Sequence, residues 1–187
     1  MARQVALLRA INLGPARRIA MGDLRALLAA GYADVSTHIA SGNVLLSSDL
    51  APPDLARELE RLIAGRFGFE VPVVVRTRDE LAAIVASDPL AHVATDPRRY
   101  QVSFLERPPD AATASRIEAA AVEPEAVALA GREIFAWHPN GIVRSPLARA
   151  LGERSLGATA RNWRTVMKLL ELASGPAWAS RSRGRSP

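Results

Sequence analysis

Apolar residues fall in two patterns along the chain. Some form short alternating or continuous runs, the signature of strands, and others recur every three to four residues, the signature of amphipathic helices. Val5-Ala6-Leu7-Leu8 is nearly continuous and suits a central strand. A loop from Asn12 to Arg18, rich in Gly, Pro and Arg, follows it. Met21, Leu24, Leu27 and Leu28 then share one helical face that ends at Gly31. Val35 to Ile39 and Val44 to Ser47 read as short strands around Ser41-Gly42-Asn43, a turn signal because Gly and Asn tolerate positive φ. Pro52-Pro53 open a helix carrying Leu55, Leu59, Leu62, Ile63 and Phe67. Val71 to Val75 is a further strand, and Thr77-Arg78-Asp79-Glu80 is a capping box that starts a short helix.

The resulting order, β-α-β-β-α-β, is that of the split βαβ or ferredoxin-like unit, and it recurs. Tyr100 to Leu105 alternates, Asp110 starts a helix, and Val127–Ala130 and Glu133–Trp137 flank Gly131 as a second hairpin. Helices are expected from about Pro146 to Ser155 and from about Ala160 to Ala173. The fold class is therefore α+β: two related ferredoxin-like (split βαβ) halves with mostly antiparallel sheets and extra C-terminal helices. The first half spans 1–92, the second 96–174 with the C-terminal helices, and 175–187 is a disordered basic tail of Pro, Ser, Arg and Gly.

Composition narrows the function less than it narrows the class. With 187 residues, 49% hydrophobic and 23% charged, the chain is ordinary globular material. The absence of Cys excludes disulfides, thiolate zinc sites and cysteine nucleophiles, and fits a reducing cytoplasm. No apolar run approaches the roughly 20 residues of a membrane span, so no membrane partner is expected. The net charge of +5 is uneven: three of the 24 basic residues, Arg181, Arg183 and Arg185, lie beyond Ser174, leaving 21 against 19 acidic residues before them. The folded part is thus close to neutral.

Phosphate-loop, HExxH, Gly-x-Ser-x-Gly and EF-hand patterns are all absent. His38, His92 and His138 stand at no metal-ligand spacing and are read as surface or rim residues; no metal or cofactor is expected, and no general acid or base is nominated. Two polar clusters remain. In the split βαβ order the end of strand 1 meets the start of strand 3, which brings Arg9, Asn12, Ser41 and Asn43 to one rim. A guanidinium, two amides and a hydroxyl suit a carboxylate or phosphate; the other reading is a loop tied down by its own hydrogen bonds. Arg144, Ser145, Arg161 and Asn162 form the second cluster, at two helix starts whose free N–H groups favour anions; plain capping is the alternative. Tyr100, Phe104, Phe135 and Trp137 fall on the two central strands of the second half, where RNA-recognition modules place stacking rings, although packing as core is the simpler account.

Leu7-Leu8-Arg9-Ala10-Ile11-Asn12-Leu13-Gly14, Ser41-Gly42-Asn43-Val44, Gly141-Ile142-Val143-Arg144-Ser145 and Thr159-Ala160-Arg161-Asn162-Trp163 with Thr165-Val166 together resemble the bacterial Domain of Unknown Function 1697 family, from about residue 3 to 173. The resemblance implies a cytoplasmic α+β protein of two ferredoxin-like halves and brings no assigned activity, cofactor or substrate. Ala10, Pro15, Val143 and Arg164 stand where the family pattern has Gly, Gly, Gly and Asn, and Pro15 stiffens the first loop and removes a backbone donor. The leading expectation is a binder of a small anionic or nucleotide-like ligand through the two clusters, which would converge across the groove between the halves. The alternative is a single-stranded nucleic-acid-binding module using the second-half rings and the basic tail. No oligomeric state is implied.

Overall fold

A computed structural model describes residues 1–14 and 17–175. The stiffening expected of Pro15, and all of the basic tail except Gly175, lie outside the described residues. The first half runs β1 (Ala2–Leu8), α1 (Met21–Ala29), β2 (Ala33–His38), β3 (Asn43–Ser48), α2 (Pro52–Phe67) and β4 (Val73–Thr77), followed by α3 (Arg78–Ser87). Its sheet has the order β2-β3-β1-β4 with antiparallel neighbours throughout. The expected meeting of strand 1 with strand 3 is present, Val5 lying opposite Leu45 on one side and Arg76 on the other. The register of the outer strand β2 shifts between Ala33 and Ser36, where Asp34 takes a φ of 56°.

Strand alternation directs Ala6, Leu8, Val44, Leu46, Val73 and Val75 to one face, where they pack with Leu24 and Leu28 of α1 and Leu55, Leu59 and Ile63 of α2. Each buried Leu, Ile or Val side chain among them contributes about 2 kcal/mol. α2 begins with Pro52-Pro53 and ends at Gly68, whose φ of 78° closes the last turn in the left-handed region. The capping box of α3 forms as expected. Thr77 N–H donates to Glu80 Oε2 at 2.8 Å and Glu80 N–H donates to Thr77 Oγ1 at 3.1 Å.

The second half repeats the order with β5 (Tyr100–Phe104), α4 (Ala111–Ala119), β6 (Ala126–Ala130), β7 (Glu133–Trp137), α5 (Pro146–Leu151) and β8 (Thr159–Asn162), then α6 (Trp163–Ser174). Its sheet order is β6-β7-β5-β8, again antiparallel. Leu105, Ile117, Ile134, Ala136, Leu147 and Leu151 form its core. Asp110 caps α4 by accepting from Thr113 N–H at 2.7 Å.

One expected element is corrected. Thr159–Asn162 is a strand, not the first turn of the last helix, because it completes the sheet on the free side of β5, with Arg161 opposite Val102. Contacts group the described residues into two compact units, 82–167 and 1–81 together with 168–175. The whole is an α+β fold in two similar halves.

Candidate functional site

At the first rim the backbone has claimed the amide side chains of Asn12 and Asn43. Leu8 N–H donates to the Gly42 carbonyl at 2.8 Å and Arg9 N–H to the Pro72 carbonyl at 2.9 Å, so the end of β1 is joined to the β2–β3 turn on one side and to the residue before β4 on the other. Asn12 binds in three directions. Its amide donates to the carbonyls of Ile19 (3.1 Å) and Ala40 (2.8 Å), and its Oδ1 accepts from Ile19 N–H at 2.9 Å. Asn43 is fully buried and donates to the His38 carbonyl and to Ser41 Oγ, each at 3.0 Å. Ala10, Asn12 and Ile39 hold φ values of 52°, 56° and 51°, the left-handed strain of a tightly closed loop. Gly42 is required there. With φ at 80°, an added Cβ would lie 2.7 Å from Leu8 Cβ.

The second cluster separates into two pairs. Arg161 lies within β8 instead of at a helix start, is buried, and donates to Thr159 Oγ1 at 2.9 Å and to the Ala160 carbonyl at 2.8 Å. Burial pulls its guanidinium down to about 10, since desolvation disfavours the charged form. Asn162 Oδ1 accepts from Thr165 N–H at 2.9 Å and caps α6. Arg144 and Ser145 stand elsewhere, on the wall of a hollow of about 390 Å³ between the segment before β6 and the loop from β7 to α5; Arg161 and Asn162 are not part of that wall. Arg144 is exposed and makes no hydrogen bond or ion pair among the described residues.

Behind this hollow lies a network that sequence reasoning missed. His138, expected at the surface, is completely buried. Its Nδ1 lies 2.7 Å from Glu125 Oε1 and 3.3 Å from Ser145 Oγ, and Ser145 Oγ in turn accepts from Ala148 N–H at 2.8 Å to cap α5. The carboxylate and the hydroxyl meet the same ring nitrogen. A nucleophile–base–acid relay needs them on opposite nitrogens, so this trio holds the loop and does not activate Ser145. His138 Nε2 and Glu125 Oε2 are buried without a hydrogen-bond partner. His38 is half-buried and His92 exposed, in keeping with the rim reading. No cluster of three or more His, Cys, Asp or Glu side chains among the described residues has the placement to hold a metal ion.

The second-half rings are core. Tyr100, Phe104, Phe135 and Trp137 retain 7% exposure or less, and Tyr100 packs on Trp163 with ring centroids 4.9 Å apart. Their faces are occupied by protein, so they offer no stacking platform. Tyr100 O–H donates to Asp88 Oδ1 at 2.9 Å; burial first, and that hydrogen bond second, push its pKa above the usual phenol range.

Among the described residues no helix is long and apolar enough to cross a membrane. Residues 1–135 match the family model described as "Protein of unknown function (DUF1697)", which leaves the stretches 141–145 and 159–166 outside the match. The fold is similar to the structure of conserved bacterial protein SP0830 from Streptococcus pneumoniae, with a TM-score of 0.71 and 22% identity over 92% of this chain and 99% of that chain. No curated protein matches the chain.

Proposed function

Because this chain belongs to the DUF1697 family of proteins of unknown function, its role has to be argued from its own geometry, and we propose that it binds a small anionic ligand in the second-half hollow, with Arg144 as the principal donor. One observation carries the reading. Of the guanidinium and amide groups expected to form the site, Arg144 alone both lines a cavity of ligand size and has no hydrogen-bond or ion-pair partner among the described residues. A cavity near 390 Å³ falls in the range of small-molecule sites, roughly 300–1,000 Å³. The planar fork of arginine suits a carboxylate or phosphate, and Asn140 on the same wall adds an amide. We also read each half as ferredoxin-like, since the order β2-β3-β1-β4 and its counterpart β6-β7-β5-β8 are those of a split βαβ unit.

Calorimetric titration with acetate and inorganic phosphate tests the reading. Arg144→Ala should weaken binding about tenfold, or roughly 1.4 kcal/mol, while Arg9→Ala leaves it unchanged. Equal binding by wild type and Arg144→Ala rejects it.

A further inference from the structure

We infer that the ligand of this hollow is a zwitterion, a small molecule carrying a carboxylate and an ammonium on an apolar frame. The inference rests on the reading that Arg144 receives an anionic group, and it adds what the facing wall must receive. That wall is acidic. Glu123 and Glu125, from the segment just before β6, line the same hollow as Asn140 and Arg144 from the β7–α5 loop. Glu123 and Arg144 carry opposite charge, yet neither pairs with the other or with any other described residue. Glu125 is nine-tenths buried; His138 holds its Oε1, and its Oε2 has no hydrogen-bond partner.

Glu123 is exposed to the hollow and unpaired, and an ammonium with its three N–H groups is the donor it lacks; Glu125 Oε2, closed to solvent, adds acidic character to the same wall without being a contact. A simple anion satisfies Arg144 but shares the hollow with two carboxylates; a simple cation satisfies Glu123 but shares it with the guanidinium. Only a molecule carrying both charges matches the sign of both walls. The frame between them is apolar because Val122 and Val143 stand 57% and 94% exposed at the edge of the hollow, where an aliphatic group would cover them. Volume and the signs of the charges on the wall together fit an aliphatic α-amino acid or the residue at one end of a short peptide.

Three probes on the same leucine frame test this on the full-length protein: L-leucine, N-acetyl-L-leucine, which lacks the cation, and L-leucinamide, which lacks the carboxylate. Wild type should bind L-leucine about tenfold more tightly than either derivative, the scale of one charge-assisted hydrogen bond. Glu123→Gln should bring L-leucine down to the N-acetyl level and leave N-acetyl-L-leucine no weaker, whereas Arg144→Gln should weaken both about tenfold. Both substitutions are at exposed positions, and a circular dichroism spectrum identical to wild type confirms folding. If N-acetyl-L-leucine binds as tightly as L-leucine, the zwitterion is overturned and the anion reading stands. If L-leucinamide matches L-leucine, both are overturned; if none of the three binds, the zwitterion is overturned and the acetate and phosphate titrations decide the anion reading.

Discussion

The two halves share a strand order and even a register, but they place their long connections differently. Val5 faces Arg76 in one sheet and Val102 faces Arg161 in the other; both arginines are buried, and the residue after each, Thr77 or Asn162, caps a helix. In the first half the long connection is 9–20, between β1 and α1, where the second half has only 105–110. In the second half it is 138–145, between β7 and α5, where the first half has only 49–51. The first connection closes on itself through Asn12, with every polar direction of that side chain answered by backbone. The second is held from behind by His138 and Glu125 and leaves Asn140 and Arg144 facing open space. Polar side chains gathered at a rim are therefore no sign of a binding site by themselves. What matters is whether the backbone has already taken their hydrogen bonds.

The contrast is easiest to break at the two hairpin glycines. Gly42→Ala places a Cβ 2.7 Å from Leu8 Cβ at a φ of 80°, combining left-handed strain with overpacking, and should lower unfolding free energy by about 3 kcal/mol. Gly131→Ala has a similar φ of 62° but nothing within 4 Å, and should lose only about 1 kcal/mol. Urea denaturation of both variants measures the difference, and equal losses would show that the first rim is not closely packed.

At the next scale, Asn12→Ala strands backbone groups of Ile19 and Ala40 and should cost about 2 kcal/mol, whereas Arg144→Ala should stay within about 0.5 kcal/mol of wild type. Thermal melts of the pair separate a structural side chain from one held in reserve.

The smallest effect is a pH dependence confined to the second half. Tyr100 occupies the strand position that Arg3 holds in the first, by the matched registers. Because its folded pKa is raised above the ordinary phenol value of 10.0, the unfolded chain ionises first, and this group loses stability as pH rises past 10.0. The lowered guanidinium of Arg161 acts in the opposite direction above about 10, so the comparison must be between variants. Tyr100→Phe should show a flatter fall in melting temperature from pH 9 to 11 than wild type.

Much of this architecture is legible from local chemistry. Gly42 and Gly131 mark both hairpins, Thr77 and Glu80 announce their capping box, and Asp110 its cap, because each depends on residues within four positions of one another. β8 is not legible. Thr-Ala-Arg-Asn is too short to show alternation, and it becomes a strand only because β5 offers an unpaired side to it. In the candidate site, Arg144 and Ser145 were identifiable by residue type, and Glu125 with His138 by register. The hairpin's last pair is Ala126 with Trp137, and extending that register by one residue sets Glu125 against His138. Reading His138 by metal-ligand spacing alone hid that partner. Asn12 and Asn43 could not be sorted from ligand donors in advance, since their acceptors, Ala40 and His38 carbonyls among them, are defined only once the turn is folded.

The register shift in β2 has a further consequence. A sheet's outermost strand presents a row of unsatisfied backbone groups that a neighbouring molecule can copy, and even ladders invite such templating. Between Ala33 and Ser36 that row is out of step, and Arg3 donates to the carbonyl of Asp34 at 2.7 Å within the bend. Self-association by edge pairing therefore has a poor foothold there, while the evenly spaced, uncharged Ala126–Ala130 edge of the other sheet carries no such defence.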